Sequence, residues 1–190
     1  MLVYNEGYSM SKELILLIAY LALLGSFIYL RKTHLLKVAA IAFVISSVWV
    51  YVARDIYLYN VDTLTIGEVN MYALVAWSLG LLVSYLLYLV TSRYFKPKLW
   101  WQKLIVFNGT YVPILLLLET VAYHVFNVVN VGTATYSGIS FCDCLHAPTW
   151  MKWWYILAGS VFMIAVGVVN RYQAPFLAMM RKYLVAKRDA

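Results

Sequence analysis

Apolar residues run along this chain in long unbroken stretches, and polar residues collect between them. Five stretches stand out, at about 13–30, 35–54, 69–91, 101–130 and 152–170. A helix needs about 20 such residues to cross a hydrocarbon core of about 30 Å. The stretches are continuous and rich in Leu, Ala, Val and Ile. Strands of a membrane β-barrel would instead alternate apolar and polar over about ten residues. Helices also satisfy their own backbone hydrogen bonds in lipid, which an open sheet cannot. The pattern therefore predicts an all-α, polytopic membrane bundle of five transmembrane helices, forming a single domain over residues 1–190. Beyond the fifth stretch, Pro175 is placed to open a helix at its first turn. Phe176, Met180, Tyr183 and Leu184 would share one face, flanked by Arg181, Lys182 and Lys187. That predicts a short amphipathic C-terminal helix at 175–187, lying in the membrane surface. The competing reading is a basic frayed tail.

Composition agrees: 64% of the residues are hydrophobic and 12% charged, against roughly 25% charged in soluble proteins. The net charge is +7, and its distribution matters more than its size. Arg31, Lys32 and Lys37 fall between the first two stretches, Arg93, Lys96, Lys98 and Lys103 between the third and fourth, and Arg171, Arg181, Lys182, Lys187 and Arg188 after the fifth. The acids Glu6, Glu13, Asp55, Asp62, Glu68 and Asp143 fall on the opposite side, with Lys12, Arg54 and Lys152. Lys and Arg accumulate on cytoplasmic loops, so the N-terminus is expected outside, the C-terminus in the cytoplasm, and the chain in the cell membrane. The basic balance then reports orientation and contact with anionic lipids, and not nucleic-acid binding. The first stretch is expected to be retained, because its positive residues follow it and do not precede it as in a signal peptide.

The fourth stretch is the polar one. Asn108, Glu119, Tyr123, Asn127 and Asn130 recur at helical spacing and would form one stripe, with Tyr111 at its edge. An ionisable group at the centre of a membrane helix costs about 2.5–3.5 kcal/mol, so this stripe should face the bundle interior. Glu119 lies about 24 Å above Lys103, and Arg54 about 25 Å above Lys37, at about 1.5 Å per residue. Arg54 is therefore a candidate partner for Glu119, or for its own neighbour Asp55. His124 faces about 140° away from Glu119 at about 100° per residue. Trp77, on the third stretch, is placed to stack on a ligand. Glu119 and Asp55 are the candidate catalytic carboxyls, with Arg54, Trp77, Tyr123, His124 and Asn127 as candidate ligand contacts. Against these stand structural readings: a buried ion pair, a packing histidine, an interfacial pair at a helix end.

The loop Ser140–Met151 holds both cysteines. Cys142, Cys144, His146 and Met151 offer two thiols, an imidazole and a thioether, a donor set that suits copper, zinc or iron. The spacing matches neither the usual zinc pairs nor haem attachment, and a site with no metal fits equally well. A disulfide is a second reading on an oxidising outer face, and inert packing a third.

Two main functions compete. One is an outward-facing intramembrane site around Glu119 and the Cys142–His146 loop, holding a lipid-like ligand or a metal, with Glu119 as a general acid on a lipid or isoprenoid in the catalytic version. The other is a non-catalytic accessory or assembly subunit, with Gly80 and Ser84 supplying a small-x-x-x-small contact to a partner subunit or a second copy. A small transporter or channel is weaker, because no repeat or paired broken helices are visible.

Overall fold

The computed structural model describes residues 9–60 and 63–188, with side chains described over 14–60 and 63–171. Five long helices build the fold: α1 (Ser9–Tyr29), α2 (Thr33–Val52), α3 (Met71–Phe95), α4 (Trp100–Thr120) and α5 (Thr149–Arg188). A two-stranded hairpin, β1 (Thr65–Ile66) and β2 (Val69–Asn70), precedes α3. Four segments are long and apolar enough to cross a bilayer, Thr33–Val52, Met71–Phe95, Trp100–Val125 and Thr149–Arg171, and Leu14–Tyr29 is a shorter apolar helix. The protein is thus a predominantly helical membrane protein.

Short turns at one end explain why neighbouring helices are antiparallel. Between α1 and α2 the chain reverses at Arg31, whose φ of 55° is left-handed, and the Lys32 amide returns to the Phe27 carbonyl at 2.8 Å. α3 stops at Lys96 in the left-handed region, and Pro97 follows, which cannot continue a helix. Gln102 then reaches back to the amides of Lys98 and Leu99 at 2.9 and 3.0 Å, satisfying donors at the start of α4. At the other end Asn70 caps α3, its side chain accepting from the Ala73 amide at 3.1 Å.

The half of the bundle nearer the Arg31 and Lys96 turns (the inner half) packs on aromatic rings. Phe107 and Phe162 are fully buried, their centroids 5.7 Å apart, with Tyr85 and Tyr88 closing around them. Glycines on α5 permit α4 to approach: a Cβ at Gly159 would collide with the Tyr111 ring, and one at Gly167 with the Trp100 indole. Asn108 donates to Ser160 on α5 at 2.9 Å, so it ties two helices together and does not join a polar stripe.

Three expectations require correction. The fourth helix does not reach residue 130. It widens into a π-helical turn at Val121–Val125, and Asn127 takes a φ of 51°, which only a short polar side chain or glycine tolerates readily. The fifth helix does not break before Pro175 but runs on as one helix to Arg188. The carbonyl that Pro175 frees, at Arg171, falls at the charged end of the span, where water can satisfy it. The amphipathic face expected at 175–187 lies outside the described side chains, as do Met1–Tyr8 and Asp62. Finally, Gly80 and Ser84 face inward. Ser84 is fully buried and Gly80 meets Leu118 of α4, so the small-x-x-x-small pair serves the chain's own helix packing.

Candidate functional site

Two loops at the end away from the Arg31 and Lys96 turns, residues 53–60 and 126–148, knit together over the top of the bundle. Tyr59 and Asn130 form an antiparallel bridge. The Asn60 side chain binds the neighbouring loop with both ends of its amide: Nδ2 donates to the Asn127 carbonyl at 3.0 Å, and Oδ1 accepts from the Val129 amide at 2.8 Å. Asn130 answers through Oδ1, which accepts from the amides of Leu58 at 3.2 Å and Gly132 at 3.1 Å. Gly132 is required here, because any Cβ would run into the Ile56 carbonyl. Asn127 and Asn130 therefore act in this cap and not on a helix stripe.

Beneath the cap lies a cavity of about 260 Å³ between α3 and α4. Part of its lining is small or aliphatic, with Ala76, Gly80, Leu115 and Ala122 among these residues. The rest is largely aromatic: Tyr57, Tyr59, Tyr72, Trp77, Tyr111, Tyr123 and Tyr155. Among the described residues Glu119 is the single carboxyl in the lining, and no Lys or Arg lines it. Positions 111, 115 and 119 of α4 and 122 of the π-helical turn all line the cavity, close to the spacing of one helix face, so Tyr111 joins Glu119 in the lining.

Hydrogen bonds fix the aromatic wall. Tyr57 is buried, and its hydroxyl accepts from the indole N–H groups of Trp49 at 2.6 Å and Trp77 at 2.8 Å. Its own proton is left for the Tyr155 oxygen, 3.4 Å away. Tyr111 donates to the Tyr155 carbonyl at 2.6 Å. Tyr57 stacks on Tyr59, and Tyr59 meets Tyr72 edge-on at 4.9 Å. Burial pushes the Tyr57 and Tyr59 phenols well above the ordinary tyrosine range, and the Glu119 charge adds to the shift. Both hydroxyls therefore remain neutral donors. Glu119 itself makes no hydrogen bond or ion pair with any described residue.

The cysteine loop closes one side. Cys142 and Cys144 are joined in a disulfide, which corrects the expectation of a soft-metal quartet. The two sulfurs bind each other, Met151 is fully buried in the first turn of α5, and His146 Nε2 lies 3.1 Å from Asp143 Oδ1. Among the described residues no three His, Cys, Asp or Glu side chains converge as metal ligands would. His146 instead stacks on Tyr123, centroids 4.5 Å apart, and lines the cavity. Its Nδ1 is buried without a hydrogen-bond partner. His124 points away from the cavity. Its Nε2 lies 3.3 Å from the Cys142 carbonyl and 3.2 Å from that of Asp143, so its N–H pins the disulfide loop to the π-helical turn.

Of the residues singled out from sequence, Glu119, Trp77, Tyr123 and His146 line one cavity. Arg54 and Asp55 do not. Arg54 Nε pairs with Glu68 Oε2 at 2.7 Å, its guanidinium over the Tyr51 ring, because the hairpin swings Glu68 back over the end of α2. Asp55 is exposed on the loop. Sequence reasoning set Tyr111 at the edge of the Glu119 stripe and did not bring Tyr57, Tyr59, Tyr72 or Tyr155 to the site. The one available signal was the count of 17 tyrosines, which does not say which of them meet. No protein-family model, curated protein or solved structure matches the chain.

Proposed function

We propose that this protein holds a lipid-like ligand in the cavity beside Glu119, facing the outer side of the cell membrane. The observation that carries the reading is the carboxyl of Glu119, set among apolar and aromatic residues without a partner among the described residues. A polar group in such surroundings is costly unless something satisfies it, and a structural role would have given it a partner in the fold. An apolar chamber with few polar groups is also the usual form of a small-molecule site. Orientation rests on charge: Arg31, Lys32, Arg93, Lys96 and Lys98 gather at the end opposite the cap, as cytoplasmic loops do. On this reading the chain crosses the bilayer five times, α1 included, with its N-terminus outside.

A second reading uses the same carboxyl as a general acid on an isoprenoid or other alkene-bearing lipid. It is favoured by the free Glu119 oxygens, because a proton held in no internal hydrogen bond is available for transfer. The Gly80–Ser84 pair does not favour the accessory-subunit reading, since both residues pack within the chain.

The test is mass spectrometry of lipids retained after delipidating purification. Wild-type protein should keep a stoichiometric small molecule. Gly80→Leu, which fills the cavity from α3, should lose it while remaining folded by circular dichroism. Equal retention by both would sink the proposal. Loss of turnover but not of binding in Glu119→Gln would select the general-acid reading.

A further inference from the structure

The chamber has an electrostatic sign. Among the described residues Glu119 is the one carboxyl in the lining, His146 the one imidazole, and no Lys or Arg lines it. Tyr123, Trp77, Tyr59 and Tyr111 line the same volume, and the face of an aromatic ring is the negative pole of its quadrupole. The Tyr57 hydroxyl is not free to donate to an anion, because it accepts from two indoles and directs its proton to Tyr155. An anionic headgroup would meet the Glu119 carboxyl among aromatic rings, with no described Lys or Arg to offset it. A positive group would meet both attractions at once, Coulombic and cation–π, in surroundings of low dielectric. It would also be the counter-charge that Glu119 lacks within the described fold.

We propose that the ligand carries a positive charge, as a protonated or quaternary amine on an apolar body, with the amine between Glu119 and the aromatic wall. This inference rests on the reading of the cavity as a ligand site. The apolar body lies along Ala76, Gly80, Leu115 and Ala122. The amine belongs either to a membrane lipid headgroup or to a free amphiphilic amine.

The probes are benzyltrimethylammonium and neopentylbenzene, its uncharged carbon isostere. Binding is read as the rise in unfolding temperature of the full-length protein in nanodiscs, since a ligand of the native state stabilises it by mass action. In phosphatidylglycerol nanodiscs the cation should bind at least tenfold more tightly than the isostere, and Glu119→Gln should erase that preference. Gly80→Leu, which keeps the carboxyl but fills the chamber, should lose both probes, so the test survives a poorly folding Glu119 variant. In phosphatidylcholine nanodiscs a weaker apparent affinity for the cation would assign the amine to the lipid headgroup, and an unchanged affinity to a free amine. Equal binding of the two probes overturns the charge inference but leaves the ligand site standing. A preference that persists in Glu119→Gln overturns it as well. Failure of both probes, with no retained lipid, overturns the site itself.

Discussion

The two halves of this bundle use the same residue types to opposite ends. In the inner half, Tyr85, Tyr88, Phe107 and Phe162 pack on one another edge-on or tilted, and none of the four lines the cavity. In the outer half, Tyr57, Trp77, Tyr111 and Tyr155 are equally well fixed, yet a cavity of about 260 Å³ remains beside them. The difference lies in what stands opposite. Inner rings meet one another, whereas outer rings line a volume shared with Ala76, Gly80 and Ala122. The hydroxyls differ too. The outer ones are bonded to one another and to indoles, so the rings are held as a wall and cannot collapse into the space. Aromatic content alone therefore does not separate a packed core from a chamber; the size of the opposing residues and the anchoring of the hydroxyls do.

That contrast can be broken most forcefully in the inner half. Phe162→Ala should destabilise the fold by about 3–5 kcal/mol, measured as lost resistance to denaturant in detergent, while ligand retained per folded molecule stays unchanged. If occupancy falls with stability, the halves are not independent. Tyr57→Phe comes next. It leaves two indole donors without their acceptor, each buried donor costing about 1–3 kcal/mol, and it should loosen the wall and weaken ligand retention. The same residue sets an alkaline limit. Because the Tyr57 and Tyr59 phenols are raised in the folded state, their stabilisation is intact below the ordinary tyrosine value of about 10 and is lost as pH climbs beyond it. Tyr57→Phe should show a shallower alkaline loss than wild type, and an identical pH profile would contradict the burial argument. Asn60→Ala should cost about 1–2 kcal/mol, with its larger effect on cap exchange, read as faster amide deuteration at Val129 and Val131. The smallest effect is expected from His124→Ala, about 1 kcal/mol or less, seen chiefly as faster reduction of the Cys142–Cys144 disulfide. An unchanged reduction rate would remove His124 as the pin of that loop.

The sequence conveyed some of this well. Continuous apolar stretches located every long helix, because the bilayer imposes one length and one composition on each span. Glu119, Tyr123 and Trp77 were legible as companions because helical periodicity and depth are local arithmetic. What was illegible depended on loops. Arg54 has a carboxyl at a matching height in Glu119, but the hairpin at Thr65–Asn70 brings Glu68 closer. Asn127 and Asn130 fit the stripe by spacing, yet the π-helical turn and a left-handed Asn127 carry them into the cap. The disulfide was one of three readings of Cys142 and Cys144. Spacing could not choose among them, because the choice rests on the left-handed turns at Asp143 and Leu145 that bring the sulfurs together.

The amide bridge between Asn60 and residues 127–129 also has a consequence for biogenesis. Its two halves are separated in the chain by all of α3 and α4. No local folding of the first loop can close it, and closing so long a loop carries an entropic cost that neighbouring contacts must first offset. Both helices have to be threaded and docked before the asparagine finds its partners. The cap over the chamber therefore closes only after α3 and α4 are in place, and a chain arrested before residues 126–148 emerge would have these helices but no cap.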